Sequence, residues 1–168
     1  MSLIKTVKCM ILGDPFVGKT TFIDRLITNY FTEYYFATIH TSNGLLTIPM
    51  PINNEKINFK CCECAGREIY KGQGVTEYSS GADCAIIMYD NASRSSYYNV
   101  ERWINLLDKN DIPKVVCCNK TDLQQQHDIN TYNVVARYSN CMQTKISVKT
   151  GYNLESPFNL LAQKLINL

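Results

Sequence analysis

A glycine-rich segment near the N-terminus constrains the fold more than any other part of the sequence. It follows the apolar run at residues 7–12, precedes a helix-like run, and matches the pattern GxxxxGK followed by Ser or Thr. Its residues are Gly13, Asp14, Pro15, Phe16, Val17, Gly18, Lys19 and Thr20. A strand, such a loop and a helix in succession predict a phosphate-binding loop in an α/β sheet. A chance match in a glycine-rich turn is the alternative, and the strand, loop and helix context argues against it.

The residue types in this loop suit a bound phosphate. Gly13 and Gly18 allow a tight backbone turn that points successive amide N–H groups and the helix N-terminus at the anion. Lys19 is predicted to reach the β and γ phosphates, and the Thr20 hydroxyl is predicted to ligate Mg²⁺, which prefers oxygen. Thr21 is a further nucleotide-binding candidate. The loop alone does not choose between ATP and GTP, or between a switch, a motor and a kinase.

A second motif, after the apolar run at residues 115–118, is predicted to bind the base. It reads Asn119, Lys120, Thr121 and Asp122. The carboxylate of Asp122 can accept hydrogen bonds from both N1–H and the N2 amine of guanine, a pair of donors that adenine lacks, so the site would reject ATP. Lys120 is expected to lie over the base, and Asn119 to tie the loops together. If this motif stood alone, a solvated turn after a strand would be the alternative to a base-binding site.

A short third segment follows another predicted strand. Its residues are Ser147, Val148 and Lys149. It offers a backbone N–H to the guanine O6, although the tripeptide alone is a weak signal. Because the phosphate loop, the motif at 119–122 and this segment occur in order, the sequence predicts a site for GTP or GDP with Mg²⁺.

Apolar runs alternate with helix-like runs along the chain, which predicts an α/β sheet flanked by helices. The predicted strands are residues 4–12, 43–50, 56–62, 83–89, 113–118 and 142–147. The predicted helices are residues 19–29, 68–79, 93–109, 130–138 and 153–166, with Ser93 and Asn130 as N-caps.

The segment 43–62 contains two strand runs with no helix between them, which predicts a hairpin. Pro49 and Pro51 lie where an edge strand or a turn tolerates proline. We therefore expect six strands in a mostly parallel sheet, with one antiparallel strand at its edge and helices on both faces.

Length, charge and hydropathy exclude several classes of protein. The 168 residues suffice for one domain with a buried core, so we expect a single domain over residues 1–168. The net charge of +2 and the lack of a basic run argue against a nucleic-acid partner. No apolar run approaches about 18 residues, and the N-terminus resembles neither a signal peptide nor a myristoylation site. We expect an intracellular protein, cytoplasmic, nuclear or both.

The sequence contains eight cysteines, a number that could indicate a disulfide scaffold. Several of them, such as Cys9, Cys84 and Cys117, lie in apolar runs and are expected to be reduced core residues. One cluster has metal-ligand residue types: Cys61, Cys62, Glu63 and Cys64. Since no second pair of cysteines or histidines complements it, we expect strand residues rather than a zinc site.

Further residues resemble the Ras superfamily and, within it, the Ran subfamily of nuclear-transport GTPases. The matching residues are Gly18 to Phe22, Cys84 to Met88, Ser93-Arg94, Asn99-Val100, Trp103, Ile112-Pro113, Asn119-Lys120, Asp122, Tyr152-Asn153, Pro157-Phe158, Leu161-Ala162 and Lys164-Leu165. The resemblance runs nearly end to end. It implies a six-stranded G domain of the P-loop NTPase class that works as a monomeric switch. It also implies protein effectors and regulators, nuclear-transport factors among them, that bind two nucleotide-sensing segments called switch I and switch II.

The resemblance implies roles for four more residues. Phe31 resembles the aromatic residue that packs edge-on against guanine. Thr38 resembles the switch I threonine that ligates Mg²⁺ and senses the γ-phosphate, and Gly66 resembles the switch II glycine whose N–H senses the same phosphate. Glu63 stands where the family has the carboxylate that holds Mg²⁺ through water.

Switch II departs from the family pattern Asp-Thr-Ala-Gly-Gln-Glu at two functional positions. Glu63 is longer than aspartate by one methylene, which is expected to weaken Mg²⁺ binding without abolishing it. Arg67 replaces the glutamine that orients the attacking water, and a guanidinium has no acceptor for that water. We therefore expect slow GTP hydrolysis, with Arg67 acting as a built-in arginine finger as the alternative. The bulk of Pro15 and Phe16, where the family has small residues, is expected to hinder assisted hydrolysis. The catalytic candidates are Lys19, Thr38, Gly66 and Arg67.

Other departures concern partners. Residues 136–140, where Ran-like proteins carry a basic patch for import receptors, retain one positive charge at Arg137. The sequence to Leu168 carries neither an acidic tail nor a prenylation box. Either the C-terminus is trimmed or the protein works without a membrane anchor, and the second is our expectation. Two rival functions stay open. One is a pseudo-GTPase that serves as a GTP-locked interaction module or as a decoy for transport factors, and the other is a P-loop phosphotransferase, for which residues 124–140 offer no arginine-rich lid.

Overall fold

The structure, a computed structural model, describes residues 5–33, 43–49, 56–64, 80–107, 111–124 and 134–166. Its strands are β1 (Lys5–Gly13), β2 (Asn43–Pro49), β3 (Lys56–Glu63), β4 (Cys84–Asp90), β5 (Lys114–Asn119) and β6 (Cys141–Lys145). Its helices are α1 (Lys19–Thr28), α2 (Arg94–Tyr98), α3 (Val100–Leu107) and α4 (Ser156–Ile166). All six predicted strands are confirmed, with their ends shifted by at most two residues.

The six strands form one sheet in the order β2-β3-β1-β4-β5-β6. Five of them run parallel, and β2 runs antiparallel to β3 at one edge, so the predicted topology is confirmed. Pro49 ends β2, where an edge strand tolerates a residue without an N–H. The carboxyl ends of β1, β4 and β5 lie side by side, and ligands of parallel α/β sheets bind at such ends.

Two apolar clusters cover the two faces of the sheet. On the first face, Ile11 of β1 packs in a cluster that also contains Phe22 of α1 and Phe158 of α4. On the second face, Leu12 of β1 packs in a cluster that contains Trp103 of α3. Neighbouring residues of β1 thus enter different clusters, because successive strand side chains point to opposite faces. The prediction of helices on both faces is confirmed.

Aromatic rings fix α1 and α4 against the first face. The ring of Phe158 stacks on Phe22 with 5.8 Å between centroids, and it meets Phe59 of β3 edge to face at 5.1 Å. Such pairs contribute about 0.5–1.5 kcal/mol each beyond the burial of their area. The start of α1 is therefore held firmly at the end of β1, where the glycine-rich loop lies.

The predicted helix at residues 93–109 is interrupted at Asn99, which separates α2 from α3. Asn99 has φ −76° and ψ −10°, and its N–H is shared between the carbonyls of Ser95 and Tyr97. The chain therefore turns more tightly there than an α-helix does. Ser93 is confirmed as the N-cap of α2, since its Oγ accepts a hydrogen bond from the N–H of Ser96 at 3.3 Å.

The remaining helix predictions have mixed outcomes. The helix α4 begins at Ser156 rather than at residue 153. The predicted helix 68–79 and the Asn130 cap lie outside the described residues. Of the predicted helix 130–138, residues 130–133 lie outside the described residues and residues 134 and 135 are helical. A turn follows them, in which Arg137 and Tyr138 donate their N–H groups to carbonyls three residues earlier.

The eight cysteines all lie in the described ranges, and no disulfide joins them. Cys61 is buried in the cluster on the first face, whereas Cys62 and Cys64 face the cluster on the second. The strand alternation thus separates the Cys61 thiol from the other two, and no group of three or more potential metal ligands occurs in the described part of the chain. Among the helices of that part, none has the length and apolar character needed to cross a lipid bilayer.

Candidate nucleotide-binding site

The glycine-rich loop occupies the end of β1 and leads into α1. Gly13 has φ 141° and Gly18 has φ 95°, a region of backbone conformation that favours glycine. A Cβ at Gly13 would lie 2.2 Å from the carbonyl oxygen of Met88, and a Cβ at Gly18 would lie 2.6 Å from Nδ2 of Asn119. Both positions therefore require glycine for space as well as for conformation, and β4 and β5 set the space.

Lys19 places a buried ammonium group inside this loop. Its Nζ donates to the carbonyl oxygens of Gly13 at 2.9 Å and Asp14 at 2.8 Å. Burial lowers the pKa of Lys19, and the nearby charges of Glu63, Cys64 and Asp14 offset part of that effect. A cation held by neutral carbonyls in a loop of glycines fits a ligand that brings negative charge, such as a phosphate.

Thr20, in the first turn of α1, contacts the last residue of β3. Its Oγ1 donates to Oε1 of Glu63 at 2.6 Å, and Glu63 is only 2% exposed. A hydroxyl and a carboxylate beside a phosphate loop are the hard oxygen donors that Mg²⁺ prefers. The donor set of Thr20 and Glu63 therefore fits a magnesium ion.

Asn119, the last residue of β5, joins the phosphate loop to the loop at 147–149. Its Nδ2 donates to the carbonyl oxygen of Val17 at 2.9 Å, and its Oδ1 accepts from the N–H of Val148 at 3.1 Å. The side chain is 1% exposed, so both bonds are shielded from water. One amide thus fixes the spacing between the predicted phosphate site and the predicted base site.

Lys120 connects the phosphate loop to the end of β4. Its Nζ donates to the carbonyl oxygen of Phe16 at 2.9 Å and pairs with Oδ2 of Asp90 at 2.7 Å. Phe16 has φ 68°, and its side chain is 56% exposed. The sequence offered no reason to single out Asp90, because Asp90 ends β4 whereas Lys120 follows β5, 30 residues further along the chain.

Asp122 is oriented by Ser147. The Ser147 hydroxyl donates to Oδ1 of Asp122 at 2.5 Å and accepts from the N–H of Thr150 at 3.1 Å. Ser147 is buried and Asp122 is exposed, so the carboxylate faces outward from a fixed support. The arrangement suits a carboxylate that receives hydrogen bonds from a ligand.

The segment after α1 is tethered to the loop at 147–149. Phe31 is half-buried against the first apolar cluster, and Nζ of Lys149 lies 2.8 Å from Oε1 of Glu33. Lys149 holds the pKa of Glu33 below its usual value, and Glu33 raises the pKa of Lys149. Both side chains are exposed, so this ion pair is weakened by solvent and salt.

The Asp14 side chain turns away from the phosphate loop. Its Oδ2 accepts from Nδ2 of Asn99 at 2.7 Å, and its Oδ1 accepts from Nε1 of Trp103 at 2.9 Å. Sequence reasoning gave neither Asn99 nor Trp103 a role here. Their spacing of four residues, which puts them on one face of a helical turn, was the available signal.

The structure thus brings together the predicted phosphate-loop and base-site residues at the carboxyl ends of β1, β5 and β6. Thr21 lies in the first turn of α1 with them. Thr38, Gly66 and Arg67 lie outside the described residues. A sequence model of the Ras family matches residues 8–167 of the chain, which include every residue of this site.

Proposed function

The chain belongs to the Ras family of small GTP-binding switch proteins, and from this premise we propose that it holds GTP or GDP between the phosphate loop and the loops at 119–122 and 147–149. The observation that carries the proposal is the pair of buried hydrogen bonds made by Asn119. They couple the two halves of the site, so one ligand can reach both. A guanine nucleotide has a phosphate end and a base end, and it fits that arrangement.

In this proposal, Asp122 selects guanine over adenine. Its carboxylate accepts hydrogen bonds from N1–H and the N2 amine of guanine, and the backbone N–H groups of the loop at 147–149 donate to the guanine O6. The support of Ser147 favours one carboxylate orientation before the ligand arrives, which reduces the entropy lost on binding. Adenine lacks the matching donors, so ATP would leave the carboxylate without partners.

Thr20 and Glu63 hold Mg²⁺ in this proposal, together with Thr38. The ion, when bound, would neutralise charge on the β and γ phosphates. Lys19 binds the same phosphates through its ammonium group. Gly66 and Thr38 sense the γ-phosphate, so the two switches differ between the GTP and GDP forms.

We also propose that hydrolysis is slow. The support is Arg67, which has five donors and no acceptor, and therefore cannot hold the attacking water as glutamine does. Pro15 and the half-exposed Phe16 add bulk beside the phosphates. The protein then stays in its GTP form for longer than a relative that carries glutamine at this position.

Single-turnover hydrolysis of pre-bound GTP tests this proposal in the wild type, Arg67→Gln and Arg67→Ala. We expect Arg67→Gln to hydrolyse roughly tenfold faster or more, a change of about 1.4 kcal/mol in the barrier. Arg67→Ala is the matched control, because it removes the guanidinium without adding the glutamine amide. It should stay as slow as the wild type.

The other outcomes separate the alternatives. A wild type that turns over quickly would contradict slow hydrolysis, and Arg67→Ala slower than the wild type would favour the built-in arginine finger. No turnover in any of the three proteins, with GTP still bound, would favour the pseudo-GTPase. Failure to bind GTP in preference to ATP would end the proposal for the site itself.

For partners, the sequence resemblance supports a Ran-like, monomeric, intracellular protein that acts in the cytoplasm, the nucleus or both. Protein effectors and regulators, including nuclear-transport factors, would bind through switch I and switch II. The described residues that support the resemblance include Pro157 and Phe158, which are buried where α4 meets the sheet. The single positive charge at Arg137 predicts weaker contacts with import receptors than a basic patch would give.

A further inference from the structure

The Asp14 carboxylate is a buried charge in the phosphate loop with both oxygens engaged. The residue is 7% exposed, Asn99 donates to Oδ2 at 2.7 Å, and Trp103 donates to Oδ1 at 2.9 Å. The donors lie 85 and 89 residues further along the chain. Hydrogen bonds to a buried carboxylate are stronger than those between neutral groups, so this contact resists small displacements of the loop.

The same residue holds the phosphate-binding lysine. The carbonyl oxygen of Asp14 accepts from Nζ of Lys19, as does that of Gly13. A shift of Asp14 therefore moves the two carbonyls that orient the ammonium group. The side-chain contacts of Asp14 fix the position of the loop. Because the carbonyl oxygen of Asp14 accepts from Nζ of Lys19, the position of the ammonium group follows that of the loop.

The donors are fixed by their own surroundings. Trp103 is 1% exposed in the cluster on the second face, and its backbone N–H donates to the carbonyl of Asn99 at 3.1 Å. Asn99 is the residue at which α2 ends before α3 begins. The junction of the two helices is thus rigidly packed, and its polar groups face the phosphate loop.

We propose that Asn99 and Trp103 are positioning residues that hold the phosphate loop through Asp14 and thereby set how slowly the nucleotide leaves. This inference rests on the proposed function and extends it to two residues that lie outside the proposed nucleotide-binding loops. Displacement of the α2–α3 junction would speed nucleotide release without any change in a residue that touches the nucleotide.

The chain offers a reciprocal test. Asn99→Asp places a second carboxylate against Asp14, and the two repel. Adding Asp14→Asn restores both bonds, because the amide introduced at position 14 accepts from Trp103 through its oxygen and donates through its nitrogen to the carboxylate introduced at position 99. The matched control is Ile104→Val, which trims a buried side chain of the same apolar cluster and leaves the contact with Asp14 intact.

The measurement is the release rate of a fluorescent GDP analogue, chased with unlabelled GDP in magnesium buffer at neutral pH. We expect Asn99→Asp to release it about tenfold faster or more, and the double variant to return to within about threefold of the wild type. Ile104→Val should release it at the wild-type rate even though it unfolds at a lower temperature. If Asn99→Asp does not fold, Trp103→Phe, which removes one donor and keeps an aromatic ring, should release the analogue faster.

Each result decides the matter. A wild type that takes up no guanine nucleotide would overturn the proposed function and this inference together. If the wild type binds the analogue but Asn99→Asp and Trp103→Phe release it at the wild-type rate, the inference alone is overturned. The inference is also overturned if the double variant releases the analogue as fast as Asn99→Asp does. It is overturned as well if Ile104→Val releases the analogue as fast as Asn99→Asp or Trp103→Phe.

Discussion

At the scale of single residues, Phe16 stands out because it adopts a backbone conformation that its side chain disfavours. Its φ is 68°, and its ring is more than half exposed, so little apolar burial offsets the strain. Phe16→Gly should relieve the strain and be more stable than Phe16→Ala by about 1 kcal/mol. The free energy of unfolding in urea measures the difference.

The alanine variant is the control, because it also lacks the ring and keeps the strain at Cβ. Equal stability of the two variants would show that the conformation of residue 16 costs nothing. If the prediction holds, the chain retains phenylalanine at some expense of stability. That would agree with a role for the ring beside the phosphates.

At the scale of elements, Asn119 connects three parts of the fold: the end of β5, the phosphate loop and the loop after β6. Asn119→Ala leaves the carbonyl of Val17 and the N–H of Val148 buried without that partner, and it should lower the free energy of unfolding by about 2–4 kcal/mol. It should also weaken the binding of GDP, because the phosphate and base halves of the site lose their connection. Chemical unfolding and calorimetric titration measure the two effects.

Thr121→Ala is the matched control for this prediction. The Thr121 hydroxyl donates to the carbonyl of Ile146 at 2.8 Å, so the variant loses a bond in the same turn that does not reach the phosphate loop. It should cost about 1 kcal/mol of stability and leave the affinity for GDP close to that of the wild type. Equal losses of affinity in both variants would contradict a specific role for Asn119.

At the scale of the whole molecule, the sheet encloses most of the cysteine thiols between its two layers of helices. Of the eight cysteines, Cys62 and Cys141 are partly exposed and the others are buried. Burial raises the pKa of Cys9 and Cys117 well above the usual value, so their reactive thiolate form is suppressed further. At mildly alkaline pH, a thiol reagent should therefore modify two cysteines of the native protein quickly and the other six only after unfolding.

The absorbance of the thiol that the reagent releases, recorded with and without denaturant, gives the number of reactive cysteines in the denatured and in the native protein. The denatured protein is the internal control, because it should react at all eight cysteines. Rapid modification of more than two cysteines in the native state would mean that one face of the sheet opens readily. Replacement of Cys62 and Cys141 by serine should remove the fast phase.

The sequence was sufficient for the parts of the fold that depend on short-range patterns. The apolar runs predicted all six strands, and the two strand runs at 43–62 predicted the antiparallel edge. The interruption at Asn99 was not predictable, because the apolar spacing of residues 93–107 is helical throughout and a single shared N–H breaks the helix. Nor did the pattern show that the helix predicted to reach residue 138 gives way to a turn after residue 135.

The sequence by itself therefore determined the α/β class, the phosphate loop and the motifs predicted to bind the base, since each consists of residues adjacent in the chain. The tertiary structure alone decided what supports them: Asp90 beside Lys120, Ser147 beside Asp122, and Asn99 with Trp103 against Asp14. These partners are tens of residues apart in sequence. The pairing of β1 with β4, of β4 with β5 and of β5 with β6 brings them within hydrogen-bond distance, and no local pattern encodes that approach.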